Sequence, residues 1–415
     1  MMNQKLFTGN FILLILGQLS SLFGNFILKL ALSMYVLDAT GSAAVFAGIL
    51  SAAVIPTIIL SPLGGILADR ADRRNVMVAL DVLTGLSVLG AALFLTERNS
   101  ITVICVLLVI LSILGAFETP TVQACIPTML EGDNIMKGNA IVNQTASFSY
   151  LIAPMLGGVL YSIIGLKPVM YASVVCFFLT ALFECFIKLH YKRPHSAQGI
   201  FSIIRQDLSE SVRYIFKEQT AIAKMLLLTA LSRFFVMGVI IVGLPFIIRA
   251  VLHLDAKYYG AAESALAVAV ILGSTAAGLL TGKLKIHRLS VVLAFLGIFM
   301  LPAGAVFFLP VNAMVQYAVL VLSFCCIQTV ISIFSIFAVS LIQQRTPNHL
   351  IGKIMAYTSA ITLCVQPVGQ IVYGFYFDRF SHAVYLVLLP TGLIVCAIGL
   401  SSAKFFRDMA QSGTE

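Results

Sequence analysis

Apolar residues fall in long runs broken by short polar or charged segments, and this pattern repeats twelve times along the chain. A helix needs roughly 20 apolar residues to cross hydrocarbon, and each run meets that length. In the first half the predicted spans are about Phe11–Leu37, Ala44–Leu63, Val76–Leu95, Ile101–Cys125, Ala140–Ile164 and Leu166–Ile187. In the second half they lie near 221–248, 258–282, 289–309, 313–340, 353–376 and 383–402. Residues 188–220 form the one substantial linker. There Phe201, Ile204, Leu208, Val212 and Ile215 recur at helical spacing opposite Arg205, Asp207, Glu210 and Arg213, which predicts an amphipathic helix on the membrane surface. The expected fold is an all-α membrane protein with six-helix bundles over 1–187 and 221–415.

Composition excludes a soluble protein. The chain is 60% hydrophobic and only 10% charged, with a mean hydropathy of +1.02, whereas soluble domains carry about 25% charged residues. The net charge of +9 could suggest nucleic acid, but its distribution points elsewhere. With both termini cytoplasmic, Arg98, Lys167, Arg249, Lys257 and Arg379 fall outside and Lys29 and Arg233 fall within spans. All other lysines and arginines lie on the inner side, as the positive-inside rule requires. The first run follows Lys5 and passes Leu28 without a cleavage-like site, so it reads as a retained span. All eight cysteines sit in or at the ends of apolar runs with no C-x-x-C pair, and they read as packing residues, not zinc ligands.

Polar residues inside the spans are the candidate chemistry. Gln18, Ser21, Asn25, Lys29 and Ser33 recur at steps of three and four, hence on one face of span 1. Polar atoms facing lipid cost several kcal/mol each, so the stripe faces either a water-filled cavity or a helix seam. Asp81 in span 3 and Glu118 in span 4 lie at similar depth and are candidates to carry a coupling proton. Glu184, near the end of span 6, is expected to snorkel to the interface. Arg233 lies mid-span in span 7, Glu263 near the outer end of span 8, and Gln366 and Gln370 share a face of span 11. Lys29 and Glu263 are expected to form an outer closing contact. Arg233 is expected to meet either an anionic group on a substrate or Glu118.

The loop Gly64-Gly65-Ile66-Leu67-Ala68-Asp69-Arg70-Ala71-Asp72-Arg73-Arg74 resembles the signature loop of the major facilitator superfamily, G-x-L-a-D-r-x-g-r-r between helices 2 and 3. It departs at Ala71-Asp72. The resemblance implies a gating role for Gly65, Asp69, Arg70, Arg73 and Arg74. Ala153-Pro154-Met155-Leu156-Gly157-Gly158 is similar to that family's helix 5 antiporter motif, with small residues replacing three of its glycines. In span 8, Ala267, Ser274, Gly278 and Gly282 offer a small-residue face suited to packing against it. The stretch Gly115–Pro120, with Ile126-Pro127, Leu130–Asp133 and Asn139-Ala140, resembles macrolide-efflux-type facilitators.

These readings lead to a secondary transporter, a monomer in a bacterial cytoplasmic membrane. It would export amphipathic small molecules against protons, using no cofactor, metal or nucleic acid. No G-x-x-x-x-G-K-[ST] motif is present, so ATP is not its direct energy source. Uptake, or transport of lipids or siderophores, by the same fold is the alternative. A membrane sensor or assembly partner is the alternative of another class; it would not need ionisable groups facing a cavity.

Overall fold

The computed structural model describes residues 6–189, 220–281, 283–347 and 350–411, so the amphipathic stretch expected over 201–215 lies outside the described residues. Among the described residues, twelve helices are long and apolar enough to cross a membrane. They are α1 (Gly9–Thr40), α2 (Ala43–Arg70), α3 (Arg73–Phe94), α4 (Ser100–Met129), α5 (Asp133–Ile164) and α6 (Leu166–Cys185). There follow α7 (Thr220–Val251), α8 (Ala256–Leu280), α9 (Ile286–Phe308), α10 (Ala313–Gln344), α11 (Ile351–Arg379) and α12 (Tyr385–Ser401). A short α13 (Ala403–Gln411) closes the described chain.

Several helices outrun their apolar runs. α5 begins at Asp133 instead of Ala140, and α2 continues to Arg70. Apolar runs mark only the part of a helix inside hydrocarbon, and the polar turns beyond them follow cap chemistry. Asp133 in the first turn of α5 suits the positive end of its dipole. Large apolar side chains such as Phe94, Ile163, Leu279 and Phe375 are exposed on the helices, which suits contact with lipid and not water.

The described residues cluster into two compact units. The first falls within Met1–Gly41, Ile49–Ser196 and Leu254–Ser264. In it α1 packs on α5 and α6, and α3 packs on α4 and α6. Thr8 caps α1 by accepting from the Phe11 amide at 3.3 Å. Gly41 ends it in the left-handed region (φ 60°), with its N–H on the Leu37 carbonyl at 2.8 Å. Phe11, Leu14, Met77, Val122, Cys125, Ile126, Leu130 and Ile187 form a buried apolar cluster where α1 and α3 begin and α4 and α6 end.

The second unit falls within Ser42–Gly48, Ala197–His253 and Ala265–Glu415. There α9 packs against α10 and α12, and α11 against α7. Asp378 of α11 accepts from the Ala43 amide at 2.6 Å and the Ala44 amide at 3.1 Å, capping the start of α2. Three stretches of α7 are π-helical: Arg233–Met237, Val239–Gly243 and Ile247–Val251. Hydrophobic periodicity does not foretell such wide turns, which recur at functional sites. Arg249, expected just outside span 7, belongs to the last of them.

Candidate functional site

In the first unit the polar stripe of α1 meets a group of carboxyls. Ser21 is buried, with its Oγ 3.2 Å from Asp81 Oδ1 on α3 and 3.2 Å from Glu118 Oε1 on α4. A hydroxyl has one hydrogen to donate, so it cannot fully satisfy two ionised carboxylates at once. Further along the stripe, Gln18 is buried and the Oδ1 of Asn25 is buried without a partner among the described residues. Lys29 is exposed, and its electrostatic partner is Glu118.

Glu184 corrects the sequence reading. It does not snorkel; it is 1% exposed and in contact with Asp81, itself 2% exposed. α6 turns this face inward because Thr180, one turn earlier, donates to the Gly17 carbonyl of α1 at 3.1 Å. Thr180 and Glu184 lie four apart on one face, a polar repeat that could have revealed the burial.

The two arginines after the α2–α3 turn act on helix ends. Arg73 donates from Nε to the Ala68 carbonyl and from Nη1 to the Ala124 carbonyl, each at 2.8 Å. Arg74 donates to the Cys185 carbonyl. The carbonyls of Ala68 and Cys185 lie in the last turns of α2 and α6, where the dipole end is negative and a cation is favoured, and that of Ala124 lies a turn further back in α4. Asp72, the departure from the motif, stands at the N-cap position of α3 and accepts from Asn75 at 3.0 Å. Of the paired glycines, Gly64 makes the close approach: a β-carbon there would lie 2.2 Å from the Ala116 carbonyl oxygen. Gly65 has open space beside it among the described residues. Arg70 is exposed, and the side chain of Asp69 lies outside the described residues.

Ala153, Pro154, Gly157 and Gly158 of α5 are all buried. A β-carbon on Gly157 would sit 3.1 Å from Ile27 Cα of α1. One on Gly158 would sit 2.6 Å from the Ala256 carbonyl oxygen, and one on Gly260 would sit 2.4 Å from that of Pro154. The motif packs on the start of α8, around Ala256 and Gly260, whereas the expected partners Ala267, Ser274 and Gly278 belong to the second unit. Small residues recur throughout α8, so composition did not fix which turn makes the contact. Ser274 lines a cavity in the second unit, Gly278 has open space beside it among the described residues, and Gly282 lies outside them. The expected Lys29–Glu263 contact is not formed among the described residues. Glu263 accepts instead from the Tyr259 hydroxyl, 2.9 Å away in the same helix, with Tyr150 of α5 nearby.

The second unit holds a cavity of about 460 Å³ between α7, α8, α10 and α11. Its polar wall is Thr229, Ser232, Arg233, Ser274, Gln328, Ser332, Ser335 and Gln366, and its apolar wall includes Met237, Ile241, Val270 and Phe334. Among the described residues, no acidic side chain lines it. The hydroxyls of Thr229, Ser232 and Ser332 are donated to carbonyls of their own helices. Among the described residues the guanidinium of Arg233 is thus the cavity's charged donor, and Gln328 presents a buried Oε1 with no partner. Gln370 is buried at 2% exposure, away from the cavity wall. Gln328, Ser332 and Ser335 went unread in the sequence, although their steps of four and three mark one polar face in an apolar run.

The chain matches the model of the Major Facilitator Superfamily over residues 14–365. It is 23% identical to macrolide efflux protein A of Streptococcus pyogenes over 385 residues, 92% of each chain. It is also 23% identical to the multidrug efflux pump Tap of Mycobacterium tuberculosis over 410 residues, 92% of this chain and 91% of Tap. The crystal structure of a D-xylose–proton symporter has the same fold, with a TM-score of 0.72 at 15% identity, covering 95% of this chain and 96% of the symporter.

Proposed function

Since the chain belongs to the major facilitator superfamily, we propose that this multi-pass membrane transporter exports amphipathic small molecules in exchange for protons. The observation that carries the coupling is the Asp81–Ser21–Glu118 bridge, in which one hydroxyl lies 3.2 Å from each of two carboxyls. A proton on either carboxyl supplies the hydrogen the bridge lacks, and losing it leaves like charges close together in low dielectric. Protonation thereby changes the forces among α1, α3 and α4, as a coupling site must if it is to bias one bundle between two states. Lys29, electrostatically linked to Glu118, compensates the deprotonated form. Export is supported by the relatives named for macrolide and multidrug efflux.

Cargo is assigned to the Arg233 cavity. Its guanidinium fork suits a carboxylate or phosphate, and its Met, Ile, Val and Phe wall suits an apolar body. Anionic or zwitterionic amphipaths fit it better than purely cationic ones. Asp69 and the arginines after it serve as the inner gate, with protein working as a monomer in the bilayer.

The test is transport into proteoliposomes under an imposed pH gradient, for a panel of acidic, zwitterionic and cationic amphipaths. The proposal predicts accumulation of at least one acidic or zwitterionic member that collapses with the gradient. Accumulation indifferent to the gradient would refute proton coupling.

A further inference from the structure

We propose that Glu184 is a third member of the proton site, sharing one proton with Asp81 and exchanging it toward the α2–α3 end of the first unit. The inference rests on the proton-coupled reading above and adds the residue through which the proton leaves. Both side chains are almost completely buried, Asp81 at 2% and Glu184 at 1% exposure. Their carboxyls are within hydrogen-bonding reach of each other, and one oxygen of each, Asp81 Oδ2 and Glu184 Oε2, is buried with no donor reaching it among the described residues. Ionised carboxylates only accept hydrogen bonds, so two of them side by side have nothing to exchange; adding one proton turns the contact into an O–H···O⁻ hydrogen bond. The pair then carries a single negative charge. Transfer breaks one O–H bond and forms another, the donor becomes carboxylate as the acceptor becomes acid, and the net charge is unchanged.

The surroundings give the transfer a direction. On the Asp81 side stand Ser21 and Glu118, with Lys29 beyond them. On the Glu184 side stand Gly17, which faces both its stem and Thr180, and the Cys125 thiol. Arg73 and Asp72 also lie near Cys125, Arg73 donating to the carbonyl of the adjacent Ala124. Cys125 belongs to the apolar cluster with Phe11, Leu14, Met77 and Ile187, so that cluster covers Glu184 on the side of the arginine-capped helix ends. Glu184 therefore lies between the coupling carboxyls and a closed apolar seal, and opening the seal would wet Glu184 first.

Infrared difference spectroscopy of the full chain in nanodiscs tests the shared proton. The carbonyl stretch of a buried protonated carboxyl is followed across pH in wild type, Glu184→Gln and Asp81→Asn. Gln is isosteric with Glu and gives Asp81 a permanent N–H donor, so the fold is preserved. The expected result is a deuterium-sensitive band in wild type that loses the same component in either variant. A band untouched by Glu184→Gln would overturn the proposal. Transport separates this from the wider reading. Glu184→Gln should lose gradient-driven accumulation roughly tenfold or more, because an amide cannot take up or release the shared proton, yet retain exchange of cargo without a gradient. Full driven transport by Glu184→Gln, alongside its loss in Asp81→Asn, sinks the role of Glu184 and leaves the coupling reading standing. Wild-type transport with no proton movement sinks both.

Discussion

Arg233→Gln is expected to discriminate between cargoes by charge. The guanidinium is the charged donor of a cavity of about 460 Å³ with no acidic residue on its wall among the described residues. Three of the neighbouring hydroxyls are already donated to helix carbonyls, so they cannot replace it. A hydrogen bond to a charged partner contributes about 1.5–3 kcal/mol net. At 1.4 kcal/mol per factor of ten, an acidic cargo should bind roughly 10- to 100-fold more weakly to the variant. Gln keeps a neutral donor and much of the volume, so a neutral ester of the same cargo should change by no more than a few-fold. Binding to purified protein, measured calorimetrically for matched acid and ester pairs, reads the difference directly. Equal losses for acid and ester would mean that Arg233 shapes the helix packing and does not recognise charge.

Three further outcomes follow from the α2–α3 region. Gly64→Ala should destabilise by about 1–3 kcal/mol, since its β-carbon would lie 2.2 Å from a carbonyl oxygen, while Gly65→Ala should be neutral or slightly stabilising; melting curves in detergent compare the two. Arg73→Gln removes a half-buried cation from two 2.8 Å carbonyl contacts and should lower stability by about 1–3 kcal/mol, seen as earlier melting and faster proteolysis. Asp69→Asn should cut transport while leaving cargo binding within a few-fold, as thermal shift and flux assays on one preparation would reveal; a collapse of binding with flux per bound cargo intact would contradict a gating role.

The helices themselves were legible because length and apolarity suffice to mark a span. So was the inward stripe of α1, since Gln18, Ser21, Asn25 and Lys29 repeat at helical steps and lipid would not tolerate them. Glu184 was misread because distance from a helix end does not say which face a residue occupies; the Thr180–Glu184 step did say so. Contacts between helices distant in sequence were the least legible. The register that brings Gly158 to Ala256 depends on how far each helix slides along its neighbour, and periodicity within one helix carries no such information; the Tyr259–Glu263 pair, four apart in α8, was open to reading from the sequence. The π-helical turns of α7, which change the facing of Arg233, left no mark on the hydrophobic pattern.

Whether a proton moves against the cargo is read most directly in proteoliposomes enclosing the pH dye pyranine, with a cargo gradient and no imposed pH difference. Wild type should acidify or alkalinise the lumen in the sense opposite to cargo movement, as an exchanger must. The Asp81→Asn/Glu118→Gln double variant should carry cargo down its gradient with the lumen pH flat. A flat trace in wild type, or an undiminished one in the double variant, would contradict proton exchange at this carboxyl site.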